Sequence, residues 1–274
     1  MTGSIYALVG LGLTMTFGLL DILNFAHGQM LMLGAYGTFF LVRAGVPFLP
    51  AMVIAMGGVA LLGVIVERVF FRPVRATPVN GLIVSIGLIA VIENVALVAW
   101  GADPKDIQPS LVGAVQVGGV SVILQRLLVL GITVVLIVLF SVFLRSSTLG
   151  KWIRATAQNR EAAALMGIPT DRVVSVSFAL GSALAAASGA LLATLFPFDP
   201  FVGEVPVLKG FIVIILGGLG SPAGAILGGF ALGISEALGA GLIASAFRDG
   251  FGFAILILAL LWRPQGLMAP RRSR

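Results

Sequence analysis

Few side chains in this sequence could do chemistry, and each candidate arrangement lacks a required part. A phosphate-gripping loop needs a glycine, four residues, then Gly-Lys-Ser/Thr, so that backbone N–H groups cradle the phosphates. The only Gly-Lys pair, Gly150-Lys151, is followed by Trp152 and has Arg145 where the first glycine belongs. That loop cannot hold a nucleotide. A single histidine, His27, and no cysteine exclude a multi-His or thiolate metal site and any disulfide. A hydrolase working at membrane depth would need a serine beside a base, or two close aspartates, and the sequence offers neither. No residue is therefore assigned a catalytic or metal-binding role.

What remains is a short set of polar residues in apolar surroundings. Glu93 and Asn94 lie inside one apolar run and Glu236 inside another. A charge at the bilayer centre costs on the order of 2.5–3.5 kcal/mol on insertion scales, so such residues are kept for contacts. For Glu93 a hydrogen bond to Asn94 or to a neighbouring helix is favoured over contact with solute, because such bonds need no ligand; Glu236 carries the same two readings. Asn24 and His27 either cap helix ends or face a solute route. The Ala183–Ala190 stretch of small residues means close helix packing and nothing more.

Composition dictates where these residues must be held. The 274 residues are 59% hydrophobic and 10% charged, with a mean hydropathy of +1.12, more apolar surface than a water-soluble core can hide. The net charge of +6 could suggest nucleic acid. Location decides otherwise: twelve of the 17 basic residues fall in three segments beside apolar runs, around Arg68–Arg75, Arg145–Arg172 and Arg263–Arg274. That is the positive-inside signature of a multi-pass membrane protein, with those segments cytoplasmic and no nucleic acid implied. Apolar runs at roughly 3–20, 30–42, 51–66, 81–100, 127–144, 173–196, 211–238 and 251–262 predict an all-α polytopic bundle of about eight hydrophobic elements. It forms one domain over 1–274, with a lipid bilayer as its surroundings. The Pro, Gly and Asp residues of 101–120 suit an exposed loop on the far side, within reach of a soluble partner.

Parity then requires a break. An odd number of crossings must separate Pro197 from a cytoplasmic tail, and two full helices cannot supply it. Leu216–Gly224 is too rich in glycine and proline for continuous helix, and Asp21–Gln29 interrupts the first two apolar runs in the same way. Irregular backbone at membrane depth survives only where protein buries it or a wet cavity borders it. Paired interruptions point to a route built by half-helices, which nominates Asn24, His27, Gly28, Gly217, Gly218 and Gly220. The polar segment 145–172 reads as a short amphipathic helix with a stop at Gly167-Ile168-Pro169. A water-exposed helix hung between spans is a docking element.

The order of short motifs resembles a known family. Gly3-Ser4-Ile5-Tyr6-Ala7-Leu8, Asn24-Phe25-Ala26-His27-Gly28, Ser85-Ile86-Gly87 with Glu93-Asn94 and Trp100-Gly101, Arg154-Ala155 with Ala157-Gln158-Asn159, Gly217–Ser221 and Arg263–Leu267 follow one another as in LivH-type permeases of branched-chain amino acid ABC transporters. Members of that family carry a further segment before the Gly-Ser-x-Tyr-Ala-Leu element. Glu161-Ala162-Ala163, three residues, then Gly167 resembles the coupling element that ABC importer permeases insert into the ATP-hydrolysing subunit. The Ile-x-Leu-Pro tail of other importer classes is absent, so comparison with LivH-type permeases is the better one. The resemblance implies ATPase coupling through Arg154, Gln158, Glu161, Ala162 and Gly167. It also implies no cofactor on this chain, ATP being bound by partner subunits. The implied partners are a LivM-like second permease or a copy of this chain, two ATP-binding subunits and an extracytoplasmic solute-binding protein, at a bacterial or archaeal cytoplasmic membrane. Urea, short amides or aromatic carboxylates are alternative solutes within the family. A self-sufficient secondary transporter or channel is the alternative outside it, but neither needs an ATPase dock.

Overall fold

Glycine and proline divide the apolar sequence into helices, and the smallest side chains decide which of them reach the centre. The computed structural model describes residues 1–20, 22–75, 77–108, 113–117, 120–242, 248–262 and 266–268. Asp21 and the Arg263–Gln265 part of the tail motif lie outside them. The chain runs α1 (Thr2–Leu20), α2 (His27–Arg43), α3 (Phe48–Val66), a π-helical turn (Glu67–Phe71), α4 (Arg72–Val74) and α5 (Pro78–Trp100). A hairpin of β1 (Ala114–Val117) and β2 (Val120–Ile123) follows, then α6 (Leu124–Ser146), α7 (Thr148–Gln158), α8 (Arg160–Leu165), α9 (Thr170–Ala193), α10 (Glu204–Gly217), α11 (Pro222–Leu242) and α12 (Arg248–Trp262). Six stretches are long and apolar enough to cross a membrane: α1, α3 with its continuation to Val74, α5, α6, α9 and α11. The protein is an all-α, multi-pass membrane bundle.

α1 and α9 form its centre, buried over 83% and 72% of their apolar windows against 22% for α5 and 28% for α6. Small residues allow this. In lipid no hydrophobic force draws helices together, so close backbone packing must do so. Gly3 of α1 packs on Gly229 and Gly233 of α11, Gly12 on Gly181 of α9, and Gly63 of α3 on Ser182 of α9. Gly34 of α2 abuts the Ala186 backbone and Gly189 the Leu31 carbonyl, where any Cβ would collide. These contacts set the direction of each helix. Gly3 meets Gly233 while Gly18 meets Gly220, so α1 and α11 are antiparallel; Gly63 meets Ser182 while Glu67 bonds Ser175, so α3 and α9 are too.

The two ends differ in chemistry. At one end Arg72, Arg75 and Arg160 converge on Asp171 at the start of α9, with N···O separations of 3.3, 2.7 and 2.9 Å. At the other, Tyr36 stacks on Trp100 at 4.4 Å and meets Phe198 edge-on, and Lys105 pairs with Phe198 through the backbone. The 101–120 region is thus no free loop: part of it forms the hairpin, and Lys105 ties it to the segment before α10. The apolar run at 211–238 is broken at Leu216–Gly224, as its glycines and proline imply, into two helices turning back at Gly218 (φ +104°) and Gly220 (φ +78°). After Pro197 the chain thus runs in three helices, α10, α11 and α12, of which α11 alone is long enough to cross. The tail returns to the same turn, where Leu267 and Met268 donate their N–H groups to the Leu216 and Gly217 carbonyls, each at 2.9 Å.

Candidate functional site

The first interruption opens into the bundle. α2 starts at His27, whose ring lies against Gly12, midway along α1. Its N-cap, Ala26, offers no side-chain hydrogen bond, and among the described residues the Asn24 amide has no hydrogen-bond partner although the residue is only 2% exposed. Asn24 therefore caps nothing. Among the described residues the ring nitrogens of His27 have no hydrogen-bond partner. Phe25 packs on Phe211 of α10 at 4.6 Å, which holds the irregular segment against that helix.

The sequence pairs this interruption with Gly217–Gly224, but the two do not meet. What faces Gly28 is Gly203, the residue before α10: a Cβ at Gly28 would lie 2.6 Å from the Gly203 carbonyl oxygen, and one at Gly203 would strike the Gly28 backbone. Two helix N-termini thus converge within the bundle, and only glycine permits the approach. α10 has 14 residues, about 21 Å at 1.5 Å per residue, too short to cross ~30 Å of hydrocarbon. Gly217, Gly218 and Gly220 lie instead at the α10–α11 turn. There Gly217 packs on Gly224 and Gly220 approaches Gly18, at the end where α1 also touches α7.

Each intramembrane carboxylate has a partner that the sequence did not single out. Glu93 accepts from Gln29 Nε2 at 2.8 Å, joining α5 to the first turn of α2, while Asn94 bonds its own helix at Ala90. Of the two partners considered for Glu93, Asn94 is thus wrong and a neighbouring helix right. Glu236 pairs with Lys209 Nζ at 2.5 Å and accepts from the Tyr6 hydroxyl at 3.2 Å, linking α11, α10 and α1. Lys209 is the one lysine in an apolar run, and matching it to Glu236 would have found the pair. Glu67, fully buried in the π-helical turn, accepts from Ser175 Oγ at 2.6 Å and has Arg72 Nε at 3.9 Å. It too was missed.

The polar segment forms two helices rather than one. Asn159 is extended (φ −157°) and caps α8 by accepting from the Ala162 N–H at 2.9 Å, as Ser147 caps α7 through the Gly150 N–H. An asparagine followed closely by Glu161 is a start signal within the amphipathic run, and it overrides helix continuity there. Gly167 ends α8 as expected. At φ +80° it donates to the Ala164 carbonyl while Ile168 N–H reaches back to Ala163, the 6→1 and 5→2 pair of a Schellman stop. Gln158, Glu161, Ala162 and Arg154 are all exposed, and Arg154 donates from its guanidinium to the Leu144 carbonyl at the end of α6. Leu165 and Met166, 89% and 83% exposed, crown the tip of α8.

Comparison with known proteins agrees with this architecture. Residues 1–260 match the family model described as branched-chain amino acid transport system / permease component. The chain is 34% identical to the high-affinity branched-chain amino acid transport system permease protein LivH of Escherichia coli, over 97% of this chain and 92% of that one. It is 33% identical, with the same coverage, to the permease protein BraD of Pseudomonas aeruginosa. A probable LivH of Methanocaldococcus jannaschii is 30% identical over 96% and 88%. No solved structure matches significantly. A match over nearly the whole chain, with a bundle of six crossing-length helices, assigns this protein to the branched-chain amino acid transport system permease family.

Proposed function

We propose that this chain is the pathway-forming membrane subunit of an ABC importer for branched-chain amino acids. It pairs with a second permease chain or a copy of itself, takes its driving force from two ATP-binding subunits, and receives solute from an extracytoplasmic binding protein. The observation that carries the importer reading is the family match over residues 1–260. The docking part rests on α7–α8, capped at both starts and stopped at Gly167, with Leu165 and Met166 bare at its tip. A channel or secondary transporter needs no such element. The positive-inside rule puts that end in the cytoplasm, with the cytoplasmic membrane as the site.

Within the bundle the route borders Asn24–Gly28 where it meets Gly203. An unbonded buried amide and two helix N-termini offer groups that can receive a carboxylate or carbonyl oxygen. The Gly217–Gly224 turn lies at the cytoplasmic mouth. Cells lacking this chain should lose ATP-dependent uptake of labelled leucine, isoleucine and valine and regain it when the chain is returned. Undiminished uptake of all three, with loss of some other solute, would move the assignment to that solute.

A further inference from the structure

A groove of about 390 Å³ runs between α3 and α9 on the outside of the bundle. One wall carries Ala60, Val64 and Arg68, spaced four residues apart along α3 and its continuation. The other carries Arg172, Val176, Ala179 and Ala183 of α9, which share a face by helical spacing. Because the two helices are antiparallel, both arginines stand at the same end, the basic one. The groove is therefore apolar along its length and doubly cationic at its mouth.

Those two arginines differ from their neighbours. Arg72, Arg75 and Arg160 share Asp171, while Arg68 and Arg172 make no ion pair or side-chain hydrogen bond among the described residues, and both are exposed. We propose that this groove binds one anionic phospholipid from the leaflet at the basic end, its phosphate held by Arg68 and Arg172 and an acyl chain laid over Ala60, Val64, Ala179 and Ala183. Guanidinium matches phosphate geometry in two-point contact, and basic pockets between membrane helices are suited to acidic headgroups. Charge argues against a second copy of this chain as the occupant. A two-fold pairing through the groove would set Arg68 and Arg172 against themselves.

Native mass spectrometry of the full chain tests this, with phosphatidylglycerol and phosphatidylcholine of identical acyl chains. The wild type should retain one phosphatidylglycerol in preference to phosphatidylcholine. Arg68→Gln with Arg172→Gln should weaken that retention by at least about tenfold. Arg145→Gln with Lys151→Gln, which removes equal charge from the same end but outside the groove, should leave it intact. Ala179→Trp, which fills the groove and keeps both arginines, should also displace the lipid, with the particle size in light scattering unchanged. Millimolar inorganic phosphate should not compete. The proposal fails if the Arg68/Arg172 variant retains the lipid or if the control loses it equally. It fails as well if free phosphate displaces the lipid, which would make the site one for a soluble anion. Disrupted pairing of chains in Ala179→Trp with lipid retention unchanged would make the groove a protein interface instead.

Discussion

At the scale of single residues, two kinds of substitution separate backbone demands from buried charge. Nothing lies within 4 Å of a Cβ built at Gly167, so the site is roomy, but its φ of +80° disfavours side chains. Gly167→Val meets a backbone cost on the order of 1–2 kcal/mol and should unwind the last turn of α8 without touching the spans. Membrane insertion and thermal stability should stay near wild type while co-purification with the ATP-binding subunit falls. Gly167→Asn, which tolerates this conformation, should recover most of the loss. Equal co-purification of both variants with wild type would deny α8 a docking role. Lys209 and Glu236 behave differently, because both side chains are buried, 4% and 0% exposed. Removing either partner alone strands a charge and should cost about 3–5 kcal/mol, whereas Lys209→Met with Glu236→Leu together should recover most of it. Unfolding midpoints of the two single variants and the double variant in detergent decide this. Additive losses would mean that the pair is not a unit.

At the scale of elements, what the sequence displayed was local. Leu216–Gly224 announces a break because proline and consecutive glycines cannot continue a helix, and α10 and α11 part there. Gly167 announces a stop for the same reason. The Asn159 break was legible in principle from its capping position, yet the helix formers on both sides of it masked the signal. Gly203 was not legible at all: its partner Gly28 is distant in sequence, and no local pattern says which two glycines will touch. The same holds for Glu67 with Ser175 and for Arg72 and Arg75 on Asp171. This gap shapes the solute-route experiment. Cysteine at Gly28, Gly217 or Gly224 would collide with neighbouring backbone, so single cysteines belong at Asn24, Phe25, Leu219 and Ser221, in a chain with no native cysteine. Those at Asn24 and Phe25 should react with small aqueous thiol reagents in the assembled transporter, and protection across all four positions would place the route elsewhere. The arginine cluster gives an element-scale expectation too. Exposed ion pairs contribute roughly 0–1 kcal/mol each, so Asp171→Asn, which loses three of them, should lower global stability by no more than about 3 kcal/mol. It should, however, raise hydrogen exchange across 160–166, because Arg160 no longer ties α8 to α9. Unchanged exchange there would mean that Arg160 adds nothing to the anchoring of α8.

At the scale of the whole molecule, burial is uneven, and the large apolar faces left open need a cover. α5 and α6 are mostly exposed in isolation, with large apolar residues such as Ile83, Val91, Val98, Val135 and Leu139 facing outward. Lipid covers some of that surface and a second permease chain the rest, in the reading proposed here. α2, α10 and α12, at 17, 14 and 15 residues, fall short of the ~20 that a full crossing needs. In the function proposed here, such a chain forms part of a gate that other subunits drive. The most direct measurement is uptake of labelled leucine into liposomes, comparing the purified chain alone with the chain assembled with its second permease, ATP-binding subunits and binding protein. Uptake only in the assembled system, and only with ATP, is the predicted result; uptake by the chain alone, without ATP, would contradict it.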